Sequence, residues 1–559
     1  MVSLTSMLGP NRPVYLYDLE VFRPPAAYKV DQVSVIRMWE ETQRYNQDDV
    51  DFQRRVYARS GLSPTLTHLP PNLNPAFVGN DARTDLDSAA VECRTAVCGA
   101  VSGLLKKTGI KPSEIDILVT TCSIYCPTPS MASMVVNAFK LRKDVQAYHL
   151  GGMGCANGVV AINMAHPNAN ALFVTTETTT PAYYRGNERH RLVTNLLFRM
   201  GAAAMLLTNK RSLAIRGPLL EPPTGSGAAS SSAAAGRRRY GPGAKYVLQH
   251  RVRVHLGQSD EAISAIYYGP DAEGLNGIYL GKNVVKEASR ALSVAVTKVA
   301  PWVLTWSQLL EAGLDMLQQR RAAAAARRNR RRVPAGDGDG DSVPRDGPLK
   351  EKPQPSENGS CTPAENGRPP AENGHKSGEA EGKSAPSPAA APAAAAPGHQ
   401  PYRPNFTKST VSHFLLHAGG AKVLDGLGEA LQLDATRLAP SRSVLHDYGN
   451  ISSSTTWYTL ACVETLNGVR RGERIMQVGV GSGIKCGVNV WKALRDVREV
   501  HDAWSHRLSP EERRSLALER SVDVAFGGAH LALRGLFAVL MLLAAIAMHA
   551  LMLRTSIAA

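Results

Sequence analysis

Short apolar runs alternate with longer amphipathic stretches along most of this chain. Buried strands are predicted for IDILVTTCSI from Ile115, ALFVTTET from Ala171, AAAMLLTN from Ala202 and RIMQVGVGSG from Arg474. Helical patterns lie between these runs, including a long one that follows Cys155. Near-continuous apolar strands that alternate with helices indicate an α/β protein with sheets covered on both faces.

Two stretches interrupt this pattern. Residues 217–243 include TGSGAASSSAAAGRRRYGPG, and residues 321–400 run from alanine and arginine through GDGDGD to three PSENG-like repeats and a Pro/Ala tract. Such sequence cannot bury enough apolar area to offset the entropy that the chain loses on ordering. Both stretches are therefore predicted to be disordered insertions.

An apolar run near the C-terminus has a different character. Residues 535–553, GLFAVLMLLAAIAMHALML, carry no formal charge and lie between Arg534 and Arg554. At helical rise the run reaches about 28 Å, close to the hydrocarbon thickness of a bilayer. It is predicted to be a transmembrane anchor, and the arginines that precede it favour a cytosolic location for the rest of the chain.

Composition excludes several classes of function. The chain has 559 residues and a formal net charge of +16, but its arginine clusters, at 237–239 and 320–332, fall largely within the predicted insertions. The clusters are interpreted as solvated charge runs, and attraction to anionic lipid headgroups or to CoA phosphates is the functional alternative. No nucleic-acid-binding motif accompanies them, so nucleic acid is not an expected partner. The eight irregularly spaced cysteines predict neither a disulfide framework nor a metal site.

The segment AYHLGGMGCANGVVAINMAH, from Ala147, holds the first candidate for chemistry. A strand ends in closely spaced glycines, and a helix is predicted to begin directly after Cys155. Unpaired N–H groups and the helix dipole favour an anion at a helix N-terminus, so a lowered thiol pKa is expected for Cys155. On this segment alone, a buried structural cysteine remains the alternative.

Two later segments strengthen the nucleophile hypothesis. His417 in HFLLHAGG directly precedes glycines that open a helix, and Asn450 in LHDYGNISSSTTWY follows a glycine and precedes a Ser/Thr-rich helix start. Both are predicted to lie at strand-to-helix junctions, as Cys155 does. A cysteine, a histidine and an asparagine at three such junctions form a coherent set for acyl transfer.

Taken together, several motifs resemble those of the plant-type 3-ketoacyl-CoA synthases. They are GGMGC, HAGG, GNISSSTTWY, VGSGIKC, PVYLYDLEVFRPP, CSIYCPTPSMASMVVNAFKLR, NLLFRMGAAAMLLTN, KYVLQHRVRVHLG and YRPNFTKSTVSHF, in family order from about residue 13 to 495. The resemblance implies a thiolase-like duplicated αβαβα fold. It also implies that Cys155 is the nucleophile, that His417 and Asn450 are its catalytic partners, and that Gly481, Ser482 and Gly483 form a loop near the site.

Three further histidines, His255, His413 and His446, also match recurrent family positions. We expect them to support the site rather than to take part in the chemistry. On this resemblance the segments are an N-terminal half at 13–216, an insert at 217–243, the start of the C-terminal half at 244–320, an insert at 321–400, the rest of that half at 401–495, and the anchor at 535–553.

The resemblance implies a decarboxylative Claisen condensation of a long-chain acyl-CoA with malonyl-CoA, as in very-long-chain fatty acid elongation, without a metal or another cofactor. It also implies a homodimer at the endoplasmic reticulum membrane, facing the cytosol, that works with the reductases and the dehydratase of an elongase.

Two other functions remain open. A type III polyketide synthase of the chalcone-synthase kind uses the same three residue types but extends its substrate several times. A non-catalytic membrane scaffold would use the 321–400 insert to recruit partners.

Overall fold

The structure is a computed structural model that describes residues 13–160, 162, 168–216, 243–332 and 402–516. The larger of its two compact units takes the described residues up to Leu309 and from Arg403 onward. That unit holds the main sheet and all the candidate site residues.

The strands include all four that the sequence predicts, and the α/β class is confirmed. Their bounds are β1 (Tyr15–Val21), β2 (Ile117–Thr121), β3 (Gln146–Leu150), β4 (Asn170–Glu177), β5 (Gly201–Thr208), β6 (Tyr246–His255), β7 (Ile266–Pro270), β8 (Asn276–Leu280), β9 (His413–Leu416), β10 (Arg474–Gly481) and β11 (Lys485–Ala493). Every residue of β2, β4 and β5 is buried, as their continuous apolar sequences predict.

The helices cover the sheet and the loops beside it. Their bounds are α1 (Gln32–Glu41), α2 (Gln47–Ala58), α3 (Pro75–Val78), α4 (Leu86–Thr108), α5 (Met131–Phe139), α6 (Asn157–Val160), α7 (Arg189–Leu197), α8 (Arg211–Arg216), α9 (Asp260–Ile263), α10 (Val284–Val303), α11 (Trp306–Arg332), α12 (Ala421–Leu431), α13 (Ala435–Tyr448) and α14 (Thr455–Cys462).

The main sheet has an internal symmetry. Its nine strands lie in the order β3-β2-β4-β5-β1-β6-β11-β10-β9. The run β2-β4-β5-β1 has one parallel pair followed by two antiparallel pairs, and β9-β10-β11-β6 repeats that arrangement. The two runs meet where β1 pairs antiparallel with β6. The N-terminal and C-terminal halves are thus related by a repeat that the sequence does not display.

Helices α6 and α14 connect these halves. Helix α6 contacts β10 and β11 of the other half, α14 contacts β1, and the two helices contact each other. The indole N–H of Trp457 donates to the carbonyl of Gly158 at 3.0 Å. A Cβ at Gly158 would lie 1.9 Å from the carbonyl oxygen of Ser453, so only glycine allows this approach. The N-terminal turns of α6 and α14 are consequently held side by side.

A buried cluster of charged residues lies where the halves join. The ammonium of Lys245, which precedes β6, lies 2.7 Å from Asp18 of β1, 2.7 Å from Glu464 and 2.8 Å from Glu499. Its side chain is fully buried, and His501 contacts Glu464 at 2.7 Å. Because a buried charge is stable only when it is paired, this cluster fixes the junction of β1 with the C-terminal half.

One predicted insert begins later than expected, and most of the other predicted segments of this kind lie outside the described residues. Helix α11 continues to Arg332, past the predicted start of the insert at 321, because the alanines and arginines there have high helix propensity. The rest of that insert, nearly all of 217–243 and the predicted anchor at 535–553 lie outside the described residues. Among the described residues, no helix is both long and apolar enough to cross a membrane.

Candidate active site

Cys155 lies in the turn that connects β3 to α6. Gly152 and Gly154 have φ of 64° and 59°, and a single 3-10 turn, Gly154–Ala156, precedes the helix. A Cβ at Gly154 would lie 2.7 Å from the Oγ of Ser482, and one at Gly481 would lie 2.9 Å from the backbone nitrogen of Cys155. The glycine-rich loop after β10 therefore fits directly against the cysteine turn, where the family resemblance places it.

His417 directly follows β9. Its backbone N–H donates to the carbonyl of Val478 at 3.0 Å and thereby continues the pairing of β9 with β10. The imidazole is almost completely buried, and burial lowers its pKa to about 4. Nδ1 has no hydrogen-bond partner among the described residues. His417 is therefore neutral near pH 7 and keeps ring nitrogens for a ligand.

Asn450 does not lie at a strand-to-helix junction as predicted, because it connects α13 to the turn that begins α14. Its backbone forms a bridge with Phe198, through hydrogen bonds to Leu197 and Arg199 at 2.8 and 3.1 Å. Its Oδ1 accepts from the backbone of Ser452 at 2.9 Å, and its Nδ2 donates to the carbonyl of Gly419 at 3.3 Å. These bonds fix the amide and leave one N–H of Nδ2 for a ligand.

A single cavity of about 950 Å³ contains Cys155, His417 and Asn450 among its lining residues, together with Gly481, Ser482 and Gly483. The rest of its wall is mainly apolar. It includes Phe52 and Val56 of α2, Val193 and Leu197 of α7, the hairpin β7–β8, and Val423 and Leu427 of α12. The structure thus brings together all six of these predicted residues beside a long apolar wall.

Two residues that the sequence analysis did not single out lie next to the nucleophile: Ser452 contacts Cys155, and Glu177 contacts Ser452. The Oγ of Ser452 lies 3.4 Å from the sulfur of Cys155 and 2.9 Å from a carboxyl oxygen of Glu177. The other carboxyl oxygen of Glu177 accepts the N–H groups of Ser123 and Ile124, at 2.9 Å each. The signal available in the sequence was a glutamate at the end of an otherwise uncharged strand, β4.

The pKa of Cys155 shifts in the direction opposite to the prediction. Burial raises the thiol pKa to about 12, the carboxylate of Glu177 adds to the rise, and the hydrogen bond from Ser452 opposes it. Desolvation of the sulfur is the largest contribution to this shift, and it outweighs the lowering expected from the dipole of the helix that follows. Burial likewise raises the pKa of Glu177. In the free protein the cysteine is therefore a neutral thiol.

The three other predicted histidines lie outside the cavity wall. His413 contacts Glu473 at 2.9 Å, and His446 contacts Asp447 at 2.6 Å. The Nδ1 of His255 accepts the N–H of Gly257 at 2.9 Å. Each therefore contacts its own local partner rather than Cys155.

Comparisons with known proteins show which family the chain resembles. The model of the FAE1/type III polyketide synthase-like protein family matches residues 7–218 and 225–321, and that of the chalcone and stilbene synthase C-terminal domain matches residues 408–493. Two proteins of Arabidopsis thaliana, 3-ketoacyl-CoA synthase 6 and 3-ketoacyl-CoA synthase 5, are each 31% identical to this chain over 517 residues. Each alignment covers 90% of this chain and 82% of the relative.

Among solved structures, the C-terminal type III polyketide synthase domain of Steely1, a type I/III hybrid from Dictyostelium, superposes with a TM-score of 0.54. The match covers 86% of this chain and 99% of that domain, at 13% identity. Identity this low shows a shared fold alone.

Proposed function

This chain belongs to the 3-ketoacyl-CoA synthase family of condensing enzymes, and from that premise we propose how its residues divide the reaction. The observation that carries the proposal is that Cys155, His417 and Asn450, from three separate segments, line one largely apolar cavity. The substrates that we propose are a long-chain acyl-CoA and malonyl-CoA, and no metal or other cofactor is required.

In the first step the sulfur of Cys155 attacks the thioester carbonyl of the acyl-CoA. The carbon–sulfur bond to CoA breaks, and CoA leaves with a proton as its free thiol. The proton of Cys155 departs as the new bond forms, because the free thiol is neutral. Two acceptors are available: the neutral imidazole of His417, and Glu177 through the hydroxyl of Ser452.

In the second step malonyl-CoA binds beside the acylated cysteine and loses carbon dioxide. An N–H of Asn450 and a ring N–H of His417 are the proposed donors to its thioester oxygen. Donors that are already in place stabilise the enolate as it forms, and removing one such donor typically costs about 10²–10³ in rate. This is the step that separates a condensing enzyme from a simple acyl carrier.

In the third step the enolate carbon attacks the acyl carbonyl on Cys155. The carbon–sulfur bond breaks, a proton from solvent restores the thiol, and 3-oxoacyl-CoA leaves. The apolar wall suits a long acyl chain, since each buried methylene contributes about 0.8 kcal/mol. Two added carbons that stay inside the cavity should therefore raise kcat/KM on the order of tenfold.

Cationic side chains supply a site for the CoA phosphates. Arg55 and Arg59, at the end of α2, line the cavity with Lys422 and Lys485. Arginine and lysine near an opening attract phosphate groups and favour the binding of charged substrates. Both substrates carry the same CoA group, so these four cationic side chains can serve both half-reactions.

The test is an assay of the full chain with malonyl-CoA and a series of acyl-CoAs, with products identified by mass. The expected product is a 3-oxoacyl-CoA two carbons longer than its substrate, with carbon dioxide released in equal amount. The absence of a product with every acyl-CoA tested would contradict the proposal. Several extensions followed by cyclisation would favour the polyketide synthase alternative, which the match to the chalcone and stilbene synthase domain keeps open.

We further propose that the protein is a homodimer. Strand β3 is an edge strand of the main sheet and leads directly into the Cys155 turn. An open edge is available for pairing with another chain. Sedimentation equilibrium should give twice the mass of the chain, and the mass of a single chain would contradict the dimer.

We propose the endoplasmic reticulum membrane, with the catalytic residues on the cytosolic side, and cooperation with elongase reductases and a dehydratase. The apolar run at 535–553 supports the membrane site. The full chain should pellet with anionic vesicles, and its recovery in the supernatant would contradict a membrane site.

A further inference from the structure

The hairpin β7–β8 forms a sheet of its own, separate from the nine-stranded sheet. It supplies five residues to the wall of the cavity that contains Cys155, namely Ile266, Tyr267, Tyr268, Ile278 and Leu280. An isolated two-stranded hairpin is at best marginally stable in water. Its position over the cavity therefore depends on contacts with the rest of the protein.

One buried arginine supplies the main polar contact. Arg191 on α7 is 2% exposed, and one of its terminal nitrogens donates to the carbonyls of Gly269 and Gly277, at 2.7 and 2.8 Å. The other terminal nitrogen donates to the carbonyl of Pro270 at 2.9 Å. Three bonds to the backbone of both strands fix the position of the hairpin, because a guanidinium holds its donors in one plane.

Two aromatic rings of the hairpin complete this attachment. The guanidinium carbon lies 5.4 Å from the centre of the Tyr267 ring and 5.7 Å from that of Tyr279, and the two rings stack on each other. Glu188, which directly precedes α7, forms an ion pair with Arg191. The positive charge is thus balanced without a contact to the catalytic residues.

The same helix also contributes to the cavity wall. Val193 and Leu197 of α7 line the cavity, whereas Arg191 contacts the hairpin. Tyr267 and Tyr268 line the cavity but remain 40% and 43% exposed. Aromatic rings left open on an apolar cavity offer a surface for an aliphatic chain. Helix α7 therefore sets the distance between one wall of the cavity and the β7–β8 hairpin.

We propose that the hairpin is the roof of the acyl pocket and that Arg191 is a positioning residue which fixes its height. The height of this roof then determines which acyl-chain lengths the enzyme extends. This inference rests on the proposed condensation, because the ligand beneath the roof is the acyl chain of the thioester carried by Cys155.

The experiment compares kcat/KM for a long and a short acyl-CoA, using the full chain and malonyl-CoA. Arg191→Met keeps the aliphatic stem and removes the three bonds, so the long-to-short ratio should change at least fivefold, and Arg191→Lys should restore part of it. Ile278→Trp fills the cavity beneath the roof and should lower kcat/KM for the long substrate at least tenfold, while the short one changes less than threefold. Leu275→Trp is the matched control, because Leu275 lies in the same hairpin but outside the cavity wall.

A long-to-short ratio within twofold of the wild type in folded Arg191→Met would overturn the positioning role of Arg191, and the same result in Ile278→Trp would overturn the role of the hairpin as the roof. If Arg191→Met does not fold, Arg191→Gln, which cannot reach all three carbonyls, takes its place, and an unchanged ratio in that variant would overturn the positioning role. A wild-type chain that extends no acyl-CoA at all would instead contradict the proposed function, so the two failures are distinguishable.

Discussion

The hydroxyl oxygen of Ser452 lies 3.4 Å from the sulfur of Cys155, although 297 residues separate the two along the chain. The same oxygen lies 2.9 Å from Glu177. A residue of the C-terminal half therefore adjusts the acidity of a nucleophile that the N-terminal half supplies.

The first prediction concerns this hydrogen bond. Ser452→Ala removes a contact that lowers the thiol pKa, so Cys155 should alkylate more slowly with iodoacetamide at pH 8. A hydrogen bond of about 1 kcal/mol corresponds to roughly fivefold in rate. Ser289→Ala is the control, because Ser289 also lines the cavity, and faster alkylation of Ser452→Ala would contradict the contact.

The second prediction is the pH dependence of that alkylation. With its pKa raised to about 12, Cys155 is almost entirely protonated at pH 8, and its thiolate fraction rises about tenfold per pH unit up to that pKa. The rate should therefore keep rising from pH 7 to pH 10. A plateau near pH 9, which an exposed thiol with a pKa of about 8.5 would give, would show that burial does not control the thiol.

Replacing the nucleophile is the third prediction. Both Cys155→Ala and Cys155→Ser should abolish the acyl adduct detected by intact mass after incubation with acyl-CoA, since neither side chain supplies a sulfur. Cys98→Ser should keep the adduct, because Cys98 lies on α4, away from the cavity. Full condensation activity in either Cys155 variant would rule out the assignment.

The fourth prediction separates the two half-reactions. Asn450→Asp keeps the shape of the side chain, but it replaces the proposed donor with an acceptor and adds negative charge where the enolate forms. Carbon dioxide release from malonyl-CoA should fall about 10²–10³-fold, while the acyl adduct on Cys155 still forms. Loss of both reactions to the same extent would indicate that Asn450 only maintains the fold.

The fifth prediction concerns the buried charged cluster. Lys245→Met removes the ammonium that Asp18, Glu464 and Glu499 share, and the loss falls mainly on Glu464, because Lys107 still contacts Asp18 at 3.0 Å and Glu499 at 2.7 Å. Breaking a buried pair typically costs about 3–5 kcal/mol of stability. Denaturant unfolding measures this loss. Asp425→Asn breaks the exposed pair with Arg442 and should cost less than about 1 kcal/mol.

The same cluster predicts how stability depends on pH. Lys245 lowers the pKa of Glu464 to about 2, below its value of about 4.3 in an unfolded chain. The stability that this depressed pKa provides is present above pH 4.3 and is lost as pH falls toward 2. The loss on acidification should be smaller in Lys245→Met, and an unchanged pH profile would contradict the coupling.

The sequence by itself determined the α/β class and the four strands we predicted, and it singled out three residues that line one cavity. Local patterns were sufficient there. An apolar run bounded by turn residues specifies a buried strand, and the glycines around Cys155 specify a tight turn because no other residue fits. The predicted start of the insert at 321 falls inside α11, because the alanines and arginines there continue the helix to Arg332.

Only the tertiary structure decided what surrounds those residues. Burial reversed the predicted acidity of Cys155, and Ser452, Glu177 and the hairpin reach the cavity from distant parts of the chain. His413 and His446, which lie in the same motifs as His417 and Asn450, turned out to contact Glu473 and Asp447 instead. The physical reason is that desolvation and packing depend on which segments become neighbours in space, and local sequence does not encode this.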